Sequence, residues 1–103
     1  MSSLKVSDGH CWQIVGDLTF ATVMSCYKIA QRERIKLSSD WEICFGNDHC
    51  NIDSAGLSFM IDNVIYAETT GIKLKFINFK SERLMSLAEI YGVDEMIKSV
   101  IER

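Results

Sequence analysis

The apolar positions of this chain change their period several times, and each change marks an element. Residues 4–6 and 11–15 are short β-prone runs, and in the second Cys11, Gln13 and Val15 alternate with Trp12 and Ile14. Asp8-Gly9 stands between them, and both residues tolerate positive φ, so the pair predicts a hairpin. From Thr19 the spacing turns to three and four. Phe20, Val23, Met24, Tyr27 and Ala30 predict an amphipathic helix over 19–33, with Asp17 or Thr19 as its cap. Residues 41–45 read as a strand and 46–50 as a loop of turn formers. A long helical segment within 51–71 follows, then a strand over 73–79. Ser81 caps a third helix whose stripe is Leu84, Leu87, Ala88 and Tyr91, stopped by Gly92. Asp94 caps a short last helix carrying Met96, Ile97, Val100 and Ile101. The order β-β-α-β-α-β-α-α predicts one domain over 1–103: an α/β fold, with a mixed four-stranded sheet and four helices packed on it. The strands on either side of the long helix should run parallel.

That helix organises the rest. Asp53-Ser54 offers two side chains able to accept bonds from the open N–H groups of its first turn, and Gly71 suits a left-handed C′ position. At 100° per residue Leu57, Met60, Ile61, Val64 and Ala67 form the expected core face. Ser54, Ser58 and Asp62 make a polar stripe beside it. Ala55, Phe59 and Tyr66 fall roughly opposite the core. Aromatic side chains on a face turned away from the core mark an expected partner surface. The candidate partner-binding residues are therefore Asp53, Ser54, Ala55, Ser58, Phe59, Asp62 and Tyr66.

Composition narrows the function classes. A net charge of −3 over 103 residues argues against a nucleic-acid binder, which usually shows a basic face, and no nucleic-acid partner is expected. No apolar run is long enough to cross a bilayer, so no direct membrane insertion is expected. The first ten residues have no apolar signal core, and a cytosolic location is expected. Cys11, Cys26, Cys44 and Cys50 are then expected as reduced thiols.

Little in the chain points to catalysis. Histidine occurs only at positions 10 and 49. A Ser54–His49 dyad lacks a third member and a full oxyanion hole. His10-Cys11 with His49-Cys50 would make a poor zinc set, because neighbouring residues on extended backbone point to opposite faces. Neither G-x-x-x-x-G-K-[ST] nor G-x-G-x-x-G is present, so nucleotide binding has no motif behind it. No metal or cofactor is expected, and the chain is read as a non-enzyme. Ser54 keeps one chemical opening: at a helix N-terminus its hydroxyl can cap, or accept a phosphate that the helix end would hold.

Asp53-Ser54-Ala55-Gly56-Leu57, following a strand and a loop and opening a helix, resembles the signature of the STAS domain, the fold of anti-sigma-factor antagonists. The resemblance runs from about Trp12 to Ile97. It takes in Gly16-Asp17-Leu18-Thr19-Phe20-Ala21-Thr22 and the stretch Leu87-Ala88-Glu89-Ile90-Tyr91-Gly92-Val93-Asp94-Glu95-Met96. Those flanks are most similar to the small stand-alone MlaB-type subunits of Mla phospholipid transporters. The resemblance implies a STAS fold and a non-catalytic subunit that binds the cytoplasmic ATPase of an ABC transporter. Such a subunit supports assembly and activity in outer-membrane lipid asymmetry, and is held beside the inner membrane through that complex. The family's Ser/Thr at the helix start falls on Ser54. In the antagonists that residue is the phosphorylation site, which implies the alternative of an anti-sigma-factor antagonist switched at Ser54.

Overall fold

The computed structural model describes residues 4–8, 10–45 and 51–101, with the side chain of Asp8 excepted. In chain order the elements are β1 (Leu4–Asp8), β2 (Cys11–Ile14), α1 (Val23–Arg34), β3 (Trp41–Phe45), α2 (Ser54–Thr70), β4 (Leu74–Ile77), α3 (Glu82–Ile90) and α4 (Asp94–Lys98). The strands form one mixed sheet in the order β1-β2-β3-β4. β1 runs antiparallel to β2, as a hairpin requires, with a bulge-like register shift between Val6 and Asp8. Gly9 of the expected turn lies outside the described residues. β2, β3 and β4 are mutually parallel, with Trp12 opposite Ile43 and Ile43 opposite Phe76. The α/β architecture is the one the polarity pattern predicts.

One face of the sheet is buried and the other is not. Trp12, Ile14, Trp41, Ile43, Phe45, Leu74 and Phe76 are buried, and they join Leu57, Met60, Val64, Leu84, Ala88 and Ile97 from the helices in one core. Their alternates Gln13, Glu42, Cys44 and Lys75 are half-buried or exposed. Trp12 and Trp41 meet edge to face with ring centroids 4.7 Å apart. Phe76 also accepts the C-terminal segment: its N–H donates to the Val100 carbonyl at 2.7 Å, so residues 100–101 cover the outer edge of β4.

Four sequence expectations shift. α1 begins at Val23, not at 19, because residues 19–22 close a separate turn in which the Thr19 N–H donates to Thr22 Oγ1. Its buried residues are Val23, Cys26 and Ala30, while Phe20 and Met24 from the expected stripe are exposed. Neither Asp17 nor Thr19 caps it, and Asp17 Oδ1 instead accepts the N–H of Asn51 at 3.1 Å. Asp94 is the first residue of α4, not its cap, and pairs with Lys98 one turn on. By contrast Ser81 caps α3 as expected, accepting the Leu84 N–H.

Candidate functional site

The start of α2 is built by residues with separate tasks. Asp53 is the N-cap: Oδ1 accepts the Gly56 N–H at 3.0 Å. Its other oxygen, Oδ2, accepts the Phe20 N–H at 3.0 Å, so one carboxylate joins the helix start to the 16–22 loop. These backbone donors, Phe20 foremost, hold the carboxyl below its ordinary range. The Leu18 N–H donates to the Asn51 carbonyl at 2.8 Å and reinforces the join. Gly56 sits where the helix touches that loop. A Cβ there would lie 2.1 Å from the Leu18 carbonyl oxygen, so a side chain at 56 would push the two apart. At the far end of this 17-residue helix Gly71 stops it at φ 77°, the left-handed region expected of it.

Ser54 has none of these tasks. It is the first helical residue, it is exposed, and its hydroxyl has no hydrogen-bond partner among the described residues. It stands at one end of a surface cleft of about 690 Å³ that follows α2. Ser54, Ala55, Ser58, Ile61, Asp62 and Ile65 run along its floor at helical spacing. Tyr27 of α1 closes one side, and Tyr91 and Val93 at the α3–α4 corner close the other. Burial and the Asp62 carboxylate push the Tyr27 phenol up, with Arg34 opposing.

The expected partner residues separate into two groups. Ser54, Ala55, Ser58 and Asp62 come together on the cleft, with Asp53 just before them. Phe59 does not join them, and the expectation of an outward aromatic pair is overturned there. Phe59 is 1% exposed and packs edge to face on Tyr27 at 5.1 Å. α1 lies over this side of α2 and turns it into core. Tyr66 is half-buried, its ring edge-on to Trp41 at 6.4 Å and beneath the Arg34 guanidinium at 4.5 Å. Its hydroxyl donates to the Arg34 carbonyl at 3.3 Å.

Arg34 ties the two helices together. Its Nη1 reaches Asp62 Oδ2 at 2.7 Å and the fully buried Asn63 Oδ1 at 3.2 Å. Asn63 completes its bonding by donating from Nδ2 to the Phe59 carbonyl. Sequence reasoning missed the buried Asn63 and its Arg34 partner, since a polar residue on a helix carries no mark of burial. It also missed Ile65, which is 47% exposed on the cleft, and placed the half-buried Ile61 in the core. The available signal was spacing: 54, 58, 61, 62 and 65 share one helical face. Phe20 and Met24 add exposed apolar surface near the N-terminal end of α2, where the Phe20 backbone is held by Asp53.

His49 and Cys50, needed for the dyad and the zinc set considered above, lie outside the described residues. Among the described residues no group of three or more His, Cys, Asp or Glu side chains could hold a metal ion. No described helix is long and apolar enough to cross a membrane.

Fold and site together define an α/β domain with a mixed sheet and an apolar-edged cleft along its longest helix. No protein-family model, curated protein or solved structure matches the chain.

Proposed function

We propose that this chain is a STAS-type docking module, a non-catalytic subunit that binds the ATPase of a phospholipid ABC transporter through the α2 cleft. The observation that carries the reading is the division of labour in Asp53-Ser54-Ala55-Gly56-Leu57. Asp53 caps, Gly56 permits contact with Leu18, Leu57 is buried, and Ser54 presents an exposed hydroxyl that has no hydrogen-bond partner among the described residues. A motif that keeps an unpartnered hydroxyl at the mouth of an apolar-edged cleft is suited to protein contact. The sequence resemblance supplies the class of partner. On this reading the subunit resides on the cytoplasmic side of the inner membrane, held there by its complex, and helps maintain outer-membrane lipid asymmetry.

Ser54→Arg and Ile65→Asp both alter exposed side chains and should leave the fold intact. Each should abolish co-purification with the ATPase while circular dichroism and melting stay near wild type. Retention of the ATPase by both variants would reject the surface. Failure of the wild-type chain to capture any ABC ATPase from its native host would reject the partner.

A second reading draws on the same hydroxyl. Ser54 is accessible to a kinase, and a phosphate at the first position of α2 would meet open N–H groups and the positive helix end. The chain would then be an anti-sigma-factor antagonist released from its partner by the added charge. Mass spectrometry of protein from the native host separates the two. Phosphate on Ser54 together with a captured anti-sigma factor favours the switch, and unmodified Ser54 with a captured ATPase favours the transporter subunit.

A further inference from the structure

The face of the sheet opposite the core carries a pair of thiols, neither of which lines the α2 cleft. Cys11 lies on β2 and Cys44 on β3, and their sulfurs are 3.9 Å apart. Both side chains are half-buried, on the face opposite Trp12 and Ile43. In the parallel register Gln13 is opposite Cys44 and Cys11 is opposite Glu42, so the two cysteines are diagonal neighbours. They lean toward one another along the sheet.

That diagonal placement decides what can join them. Strands about 4.8 Å apart and an offset of two residues at about 3.3 Å each put the α-carbons roughly 8 Å apart. A disulfide needs them within about 7 Å, so a direct bond would require the backbone to move. A bridge one atom longer does not. Two metal–sulfur bonds of about 2.3 Å meeting at a tetrahedral angle place their sulfurs about 3.8 Å apart, close to the spacing observed. A divalent metal would need further protein ligands, and among the described residues no group of three exists. A trivalent arsenical is satisfied by two thiols and its own organic substituent; its pyramidal angle is narrower than tetrahedral, so the two sulfurs would draw slightly closer than the 3.9 Å observed, by side-chain rotation.

We propose that Cys11 and Cys44 form a dithiol site for trivalent arsenicals. With an aryl arsenoxide, R–As=O, both S–H protons pass to the oxide oxygen, which leaves as water. Two As–S bonds form, arsenic remains trivalent, and no oxidant or reductant is consumed. The same chemistry makes this sheet face a point at which thiol-seeking toxicants attach without unfolding the core.

Phenylarsine oxide added to the purified chain should give one adduct by intact-protein mass spectrometry. A dithiol should reverse it and an equal concentration of monothiol should not. Cys11→Ser and Cys44→Ser should each lose the adduct, whereas Cys26→Ser and Cys50→Ser should keep it. On the wild-type chain, alkylation mapping after arsenical treatment should show Cys11 and Cys44 protected together, a measurement that depends on no variant folding. Absence of an adduct on the wild type, an adduct equally strong in Cys11→Ser or Cys44→Ser, or protection of any other pair would overturn the proposal.

Discussion

Asp53 condenses much of the molecule into one side chain. Its two oxygens serve two segments, the first turn of α2 and the backbone of Phe20. The cap was legible, because Asp before a helical run has a mechanism that needs only local backbone. The bond to Phe20 was not, since 33 residues separate the partners and nothing in either marks the other. Because the folded chain holds this carboxyl below the ordinary value of about 3.9, the charge stabilises the fold above that value. The contribution fades as pH falls through the lower folded value. Asp53→Asn should therefore cost roughly 1 kcal/mol at neutral pH. The gap from wild type should narrow at a pH well below that ordinary value. Urea midpoints of both proteins at the two pH values check this; an equal gap at both would assign the loss to shape, not to charge.

At the scale of elements, the instructive case is how α1 meets α2. α2 is apolar around most of its circumference, so periodicity could not say which side faces the sheet and which faces another helix. Phe59 looked outward only while α1 had no place. Once α1 is laid over it, Tyr27 and Arg34 cover Phe59, Asn63 and Tyr66. A charge at position 59 would thus be buried in the core and would unfold the chain, which makes Phe59→Asp useless as a probe of docking. Arg34 is the more telling position. Arg34→Ala removes the donor to the buried Asn63 oxygen and the cation above Tyr66. The orphaned acceptor alone should cost about 1–3 kcal/mol. Chemical denaturation of Arg34→Ala, and of Arg34→Ala combined with Asn63→Ala, measures it. If Asn63→Ala costs as much in the Arg34→Ala background as in wild type, the two residues are not coupled.

For the whole molecule, the parallel core of the sheet should be the last part to open. β3 is flanked by β2 and β4 and carries Trp41, Ile43 and Phe45 in the core, whereas β1 is an edge strand with a bulge. Native-state hydrogen exchange should find the slowest amides in β3 and much faster exchange in β1. Slower exchange in β1 than in β3 would contradict this account of where stability resides. The two functional proposals divide the molecule in the same way, with the cleft on the helical layer and the dithiol on the sheet face opposite the core.

Much of this architecture could be read from residue order alone. Strand alternation, three-and-four spacing, Ser81 and Asp53 as caps and Gly71 as a stop are rules of neighbouring residues, and they located all eight elements and the parallel pairing across α2. Which flank of α2 is surface was settled only by packing. That choice depends on where α1 lies, and α1 is positioned by contacts spanning about thirty residues, among them Arg34 with Asp62 and Asn63. The meeting of Cys11 with Cys44 belongs to the same class. Neither cysteine's neighbours in the chain announce it, because two thiols approach only when the register of separate strands is set.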